Sequence, residues 1–323
     1  MNRTPRWNAA DVPDQTGRTF VVTGANSGIG LATTATLTGR GARVIMACRN
    51  TEKAEAARDS LPAGSRDLAE IRRLDLADLD SVDEFVAGFV APDADAHAHA
   101  DTDADADTDA DSSGGRIDVL INNAGVMNLP HSRTAQGHEM QFGVNALGHH
   151  ALTTGLVPLL TDRVVWLGSL AHLRGHVDPD DLSAELRGYR PMAAYADSKL
   201  ACIMLAYEWQ RRFQREGSGL RSMAAHPGYT STELIRQSGR PLADRFFALG
   251  NSITWAGLTP ELGALSVLYA ATVPDLPGGS FVGPDRLGGL KGHPKVATSS
   301  RRSRDAAVAA ALWERSTEMA AFR

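Results

Sequence analysis

Cysteine is nearly absent from this chain. Its 323 residues include two, Cys48 and Cys202, each inside an apolar run. So low a count excludes a disulfide framework and a Cys-based zinc site. It fits two buried thiols in a reducing compartment. Long apolar runs are missing as well. None approaches the ~20 residues that a membrane span needs, and the N-terminal "MNRTPRWNAADVPDQTGR" has no apolar signal region. Basic clusters are also lacking. The formal net charge is −5, which gives no footing for nucleic acid. These absences lead us to expect a soluble, cytoplasmic protein with no membrane span and no nucleic-acid partner.

The acidic charge is unevenly spread. Residues 93–111, "DADAHAHADTDADADTDAD", hold eight Asp and no basic residue, leaving 33 basic against 30 acidic residues elsewhere. Such a stretch buries no apolar area and repels itself. We therefore expect a disordered acidic insertion at about 92–113, placed at a connection where added length costs little closure entropy. His97 and His99 within it lack companion ligands, so no metal site is expected. A tether for a metal or a partner is the other use such a stretch could have.

What is present is an alternation of short β-rich runs and helix-compatible segments. "RTFVVTG", "ARVIMAC", "EIRRLDL", "IDVLINNAG", "RVVWLGS", "LRSMAAHPG" and "GSFVG" read as strands in chain order. Segments such as "GIGLATTATLTGRG" and "DSVDEFVAGFV" separate them. Near-continuous apolar strands alternating with helices imply a parallel sheet covered on both faces, an α/β architecture. Neither a second core nor an internal repeat is visible, so residues 1–323 are expected to form a single domain.

The first strand runs into "VVTGANSGIG". Gly24, Gly28 and Gly30 allow a tight turn and a close backbone approach to a pyrophosphate, beside Asn26, Ser27 and Ile29. The free N–H groups and dipole of the helix that follows favour that anion. The second strand ends in "IMACRN". An acid there would accept hydrogen bonds from a ribose 2′-hydroxyl, whereas a base suits a 2′-phosphate. Cys48 is not acidic and Arg49 offers a guanidinium fork, which favours NADP over NAD. Asp75 and Leu76, ending the third strand, would lie beside the adenine. "NNAG", with Asn122, Ala124 and Gly125, would lie close to the ribose.

In "AYADSK", Tyr195 and Lys199 stand four positions apart and so share one helical face. "TGANSGIG", "NNAG", the "GS" after the fifth strand, "YADSK" and "HPGYTST" occur in the order typical of the short-chain dehydrogenase/reductase family, which the chain resembles from about Gly17 to Asp285. "ACRNTEKAEAA", "FGVNALGHHALT", "SLAH" and "TPELGALSVLYAAT" resemble its branch of retinol-dehydrogenase-like and protochlorophyllide-reductase-like proteins. The resemblance implies one Rossmann-type domain with a seven-stranded parallel sheet, helices on both faces, and a small-molecule alcohol or carbonyl substrate. It also implies a catalytic tetrad of Asn145, Ser169, Tyr195 and Lys199. Tyr195 would exchange a proton with the substrate oxygen, and Lys199 would favour the phenolate and hold the nicotinamide ribose, so both also count as cofactor-binding. Ser169 would bond the substrate oxygen, and Asn145 would position a water beside Lys199. Pro227, Gly228 and Thr232 would approach the nicotinamide carboxamide.

Several features stand apart from these expectations. Gly168 occupies a position where many relatives have a second serine, and Trp166 is unusual in its strand. His149 and His150 are expected to be packing or surface residues. Phe246, Phe247, Leu249, Ile253 and Trp255, within residues 239–258, suggest a lipophilic substrate. A catalytically silent nucleotide sensor on the same fold is the alternative, and a homo-oligomer is compatible with either reading.

Overall fold

In a computed structural model of the chain, the described residues are 6–90, 115–183, 186, 188–229 and 259–321. The acidic insertion, Thr232 and residues 239–258 lie outside them.

Eight strands form one sheet in the order β3-β2-β1-β4-β5-β6-β7-β8. They are β1 Thr19–Thr23, β2 Arg43–Cys48, β3 Ala69–Arg73, β4 Ile117–Asn122, β5 Leu160–Leu167, β6 Arg221–Ala225, β7 Phe281–Arg286 and β8 Lys291–Ala297. The first seven are parallel, as expected. The eighth is an addition to the expected seven and pairs antiparallel with β7, Phe281 opposite Ala297 and Arg286 opposite Lys291. Positive φ at Leu287, Gly288 and Gly289 reverses the chain between the two strands.

The strand period of two divides the core into two layers. Val21, Ile45, Leu120 and Val164 point to one face, Phe20, Val44, Val119 and Val165 to the other, and all are buried. Both faces are dry, which is why the strands read as unbroken apolar runs. The first face is covered by α4 (Leu79–Val90), α6 (Gly148–Leu156), α7 (Pro191–Arg215) and the C-terminal helix Ala306–Ala321. The second is covered by α1 (Gly28–Thr38), α2 (Thr51–Asp59) and the helix Pro260–Thr272, with the short α3 (Ala63–Arg66) between α2 and β3.

Strand order reverses between β1 and β4. In an open α/β sheet the crevice beyond the strand ends at such a reversal is where ligands bind. The turns after β1 and β4 meet there: a Cβ on Gly24 would lie 3.0 Å from Ala124 Cα.

Candidate active site

A cleft of about 860 Å³ occupies that crevice. Gly24, Asn26, Ser27, Gly28, Ile29 and Gly30 line its first wall. Ser27 is the N-cap of α1 and makes no side-chain cap bond, so the first N–H groups of α1 keep their capacity for an anion. Gly30 is there for space. A Cβ on it would sit 2.3 Å from the Gly24 carbonyl oxygen and 2.6 Å from Asn123 Nδ2.

Arg49, Asp75, Leu76, Ala124 and Gly125 also line the cleft, so eleven of the cofactor positions read from sequence share one cavity. Asn122 does not. Its side chain turns to the α6 face, where Nδ2 donates to Thr153 Oγ1 at 3.0 Å. The neighbouring Asn123 lines the cleft instead, with Nδ2 donating to the Thr23 carbonyl at 2.7 Å. Sequence reasoning also missed Asn50 and Lys53 in the lining. Asn50 caps α2, its Oδ1 accepting from Lys53 N at 2.7 Å. Lys53 falls in the first turn of α2 and lines the cleft with Arg49, which precedes the cap. The residues fit a dinucleotide: a helix N-terminus for the diphosphate, and two cations with an amide where the second strand ends.

At its other end Met140 and Val144 line the cleft, on an irregular helix that packs on α7; Asn145, Ser169, Tyr195 and Lys199 lie behind that wall and are not themselves in the lining. Met140–Phe142 is α-helical (α5), Gly143–Leu147 is a π turn, and α6 follows. Turns of the π type concentrate at functional sites, and Asn145 lies in this one. Its Oδ1 accepts from Val126 N at 2.8 Å, and its Nδ2 donates to Val126 O and to Ser198 Oγ, both at 2.9 Å. Asn145 therefore joins the turn after β4 to α7.

Lys199 Nζ donates to the Leu167 carbonyl at 2.9 Å, and a Cβ on Gly125 would lie only 3.3 Å from that nitrogen. Lys199 thus reaches from α7 across the end of β5 to the cleft wall. Tyr195, one turn earlier on α7, is 8% exposed. Ser169 follows β5 as the N-cap of a 3-10 turn, Leu170–Arg174, and its Oγ accepts from Ala171 N at 3.2 Å. That turn packs on α7 beside Tyr195, since a Cβ on Gly175 would lie 2.5 Å from the Ala196 carbonyl oxygen. At Gly168 a side chain would begin 3.0 Å from Ile203 Cδ1 on α7, so the isoleucine would have to give by a few tenths of an ångström to admit one. Trp166 is fully buried beneath the same helix layer.

Two histidines brace this end. His172 Nε2 accepts from Ser300 N at 3.2 Å, so Nδ1 carries the proton and donates to the Ser169 carbonyl at 2.6 Å. His226 stacks on Phe281 at 5.2 Å and accepts from Gly228 N at 3.3 Å. Burial, with a smaller push from His172, takes its pKa down to about 4. Pro227 and Gly228 follow β6 here, outside the cleft lining. His149 and His150 are both buried rather than on the surface.

A doubly wound α/β sheet with this cleft at its strand-order reversal defines a dinucleotide-binding protein. The family model for short chain dehydrogenase matches residues 18–93 and 89–242. Human retinol dehydrogenase 13 is 38% identical over 309 residues, covering 94% of this chain and 84% of that protein. Mouse retinol dehydrogenase 14 is 36% identical over 319 residues, covering 94% and 86%. A crystal structure of a protein from Mycobacterium Paratuberculosis is 41% identical with a TM-score of 0.78, covering 98% of both chains. The chain belongs to the short-chain dehydrogenase/reductase family, in its retinol-dehydrogenase-like branch. It is an NAD(P)-dependent oxidoreductase. Among the described residues, no helix is long and apolar enough to cross a membrane.

Proposed function

We propose that this protein interconverts an alcohol and a carbonyl on a lipophilic small molecule, with NADP(H) as cofactor and Tyr195 as general acid/base. The observation that carries the reading is Lys199. Its ammonium bridges α7 to the cleft wall at Leu167 and Gly125, one helical turn from a largely buried tyrosine.

When bound, the nicotinamide supplies or takes up the hydride. The chain's own residues manage the proton and the charge. Tyr195 donates its phenolic proton to the substrate oxygen, or removes it in the other direction. Lys199, one helical turn further along the same face of α7, places its ammonium at the cleft wall beside the Leu167 carbonyl. Ser169 Oγ accepts from Ala171 N, which leaves its proton free to donate where charge grows on the substrate oxygen. Asn145 holds the Val126 turn against α7 and so fixes the distance between cofactor wall and catalytic helix.

The cation pair Arg49 and Lys53, in the cleft with Asn50, supports a 2′-phosphate and hence NADP. A lipophilic substrate is supported by the relatives named retinol dehydrogenases. It is also supported by exposed Leu173, Tyr229, Leu287 and Leu290 beyond the ends of β5, β6 and β7.

The test pairs nucleotide titration with turnover of retinal or another long-chain aldehyde. NADPH should bind more tightly than NADH, and Arg49→Asp combined with Lys53→Glu should narrow or invert the preference. Tyr195→Phe should lower turnover by at least ~10²-fold while NADPH still binds, and Lys199→Met should damage both. Equal affinity for the two nucleotides in the parent would remove the NADP assignment. Near-parental turnover in Tyr195→Phe would remove the mechanism.

A further inference from the structure

His149 belongs to no part of the mechanism above, yet it is a fully enclosed polar side chain at the junction of all its parts. It is the second residue of α6, just after the π turn, and is 1% exposed. Nε2 lies 2.8 Å from Thr23 Oγ1, and Nδ1 lies 2.9 Å from the Asn145 carbonyl oxygen.

The protons on this pair of contacts can be assigned from their neighbours. Thr23 Oγ1 already accepts from the backbone N–H groups of Asn123 and Ala124, both at 2.9 Å. Those bonds use its two lone pairs, so the hydroxyl acts toward any third partner as a donor. The candidates are the Ile121 carbonyl at 3.4 Å and His149 Nε2 at 2.8 Å. The second has the normal length of a hydrogen bond and the first does not. Nε2 therefore accepts, Nδ1 carries the ring proton, and Nδ1 donates to the Asn145 carbonyl. Burial and the Lys199 charge hold the ring neutral, with its pKa down to about 3, so the tautomer persists at working pH.

A continuous ladder results. The turn after β4 bonds Thr23 at the end of β1. Thr23 bonds His149, and His149 bonds Asn145 in the π turn. Asn145 Nδ2 bonds Ser198 Oγ, which donates to the Tyr195 carbonyl at 2.8 Å. Cys202 Sγ, also on α7, donates to the same Asn145 carbonyl at 3.1 Å. The end of β1 is thus tied to the π turn and the catalytic helix through one imidazole, beside the direct tie that the Asn145 side chain makes from Val126 to Ser198.

We propose that His149 is a positioning residue for the reaction, its Nδ1–H fixing the Asn145 carbonyl and with it the placement of the π turn between the Thr23–Ala124 junction and the Tyr195/Lys199 helix. The proposal rests on the reading of Tyr195 and Lys199 given above. Its distinctive content is that the Nδ1 bond matters more than the volume of the ring.

Three substitutions separate those properties. His149→Asn can keep a donor where Nδ1 stands, and His149→Gln can keep a polar group where Nε2 stands. His149→Phe keeps the ring volume and neither hydrogen bond. A space-filling histidine predicts that both kcat and melting temperature fall in the order Phe, Gln, Asn. A positioning histidine predicts that Asn retains the highest kcat, although it leaves the largest void and melts lowest. Gln and Phe then lose about tenfold or more, within the ~10²-fold that a misplacement of about 1 Å costs. KM for the aldehyde should change far less than kcat. If Phe does not fold, the order of Asn against Gln decides alone. A kcat that tracks melting temperature across the series overturns the proposal. Tyr195→Phe is measured beside them: if it keeps its turnover, the catalytic reading itself has failed, whereas its loss together with a volume-ordered series sinks only the role of His149.

Discussion

A methyl group on Gly30 would have to occupy space already filled by a backbone carbonyl and an asparagine amide. Neither is the free end of a flexible chain, so the turn must open to admit it. Gly30→Ala should cost roughly 1–3 kcal/mol, the usual range for overpacking, and should weaken NADPH binding because the same turn lines the cleft. Thermal melting and nucleotide titration on that variant check both effects, and unchanged affinity would count against the cradle. A tight turn at these glycines was legible in the sequence, because their spacing after an apolar run lets the chain turn closely into the next helix. The choice between Asn122 and Asn123 was missed although a signal existed. Leu120 and Asn122 share a strand parity, and Leu120 points to the α6 face, so Asn122 had to follow it. Lys53 was missed for a different reason. Its place in the cleft depends on where α2 begins, and that is set by the Asn50 cap rather than by any feature of the lysine.

At the scale of elements, the seven parallel strands were legible because both faces of the sheet are buried and the runs are apolar throughout. β8 was not. "KGHPKVA" carries two lysines, a glycine and a proline, and it lies at the edge, where exposure removes the pattern. Pro294 lacks an N–H and is tolerated at an edge position, opposite Pro284. The π turn was also invisible, since it is defined by which carbonyls find partners and not by periodicity. The C-terminal helix shows how an element can be held by few residues. Trp313 meets Trp209 at 5.8 Å and His150 at 5.3 Å between ring centroids, and the Arg212 guanidinium lies 3.4 Å from its ring centroid. Thr317 lies 3.0 Å from His150 Nε2. Trp313→Ala should cost about 3 kcal/mol, at the low end for tryptophan truncation because the ring is only partly buried. None of these contacts lines the cleft, so NADPH affinity should hold at a temperature where the variant is folded. A matching loss of affinity would show that the helix supports the site through α6 and α7.

For the whole molecule, the two ends of the strands carry two kinds of polar construction. The C-terminal ends carry the cleft. At the N-terminal ends of β1, β5 and β6, Arg18, Arg163 and Arg221 surround Asp162, and Arg163 also donates to the carbonyls of Ala270 and Val273 at the end of a helix. Burial pushes the Asp162 carboxyl upward, but Arg163 and Arg221 outweigh it and hold its pKa below the usual value. That contribution to stability is present above the unfolded pKa, ~3.9, and is lost as pH falls through the folded value. The histidines act earlier. Burial takes His149 and His150 down to about 3 and His226 to about 4, against ~6.5 in an unfolded chain. Between those values the unfolded state binds more protons than the native state, so stability rises with pH through the window and levels off above about pH 7. Each of the three can add up to about 1.4 kcal/mol per pH unit to the slope. Urea unfolding at pH 7.5, 6.0 and 5.0 should therefore show stability falling steeply below pH 6.5, well above the range where carboxylates titrate. His150→Phe keeps an aromatic ring between Trp209 and Trp313 and removes one titrating group, so it should flatten the slope by about one proton. A stability independent of pH from 7 to 5 would mean that these rings reach water before the chain unfolds.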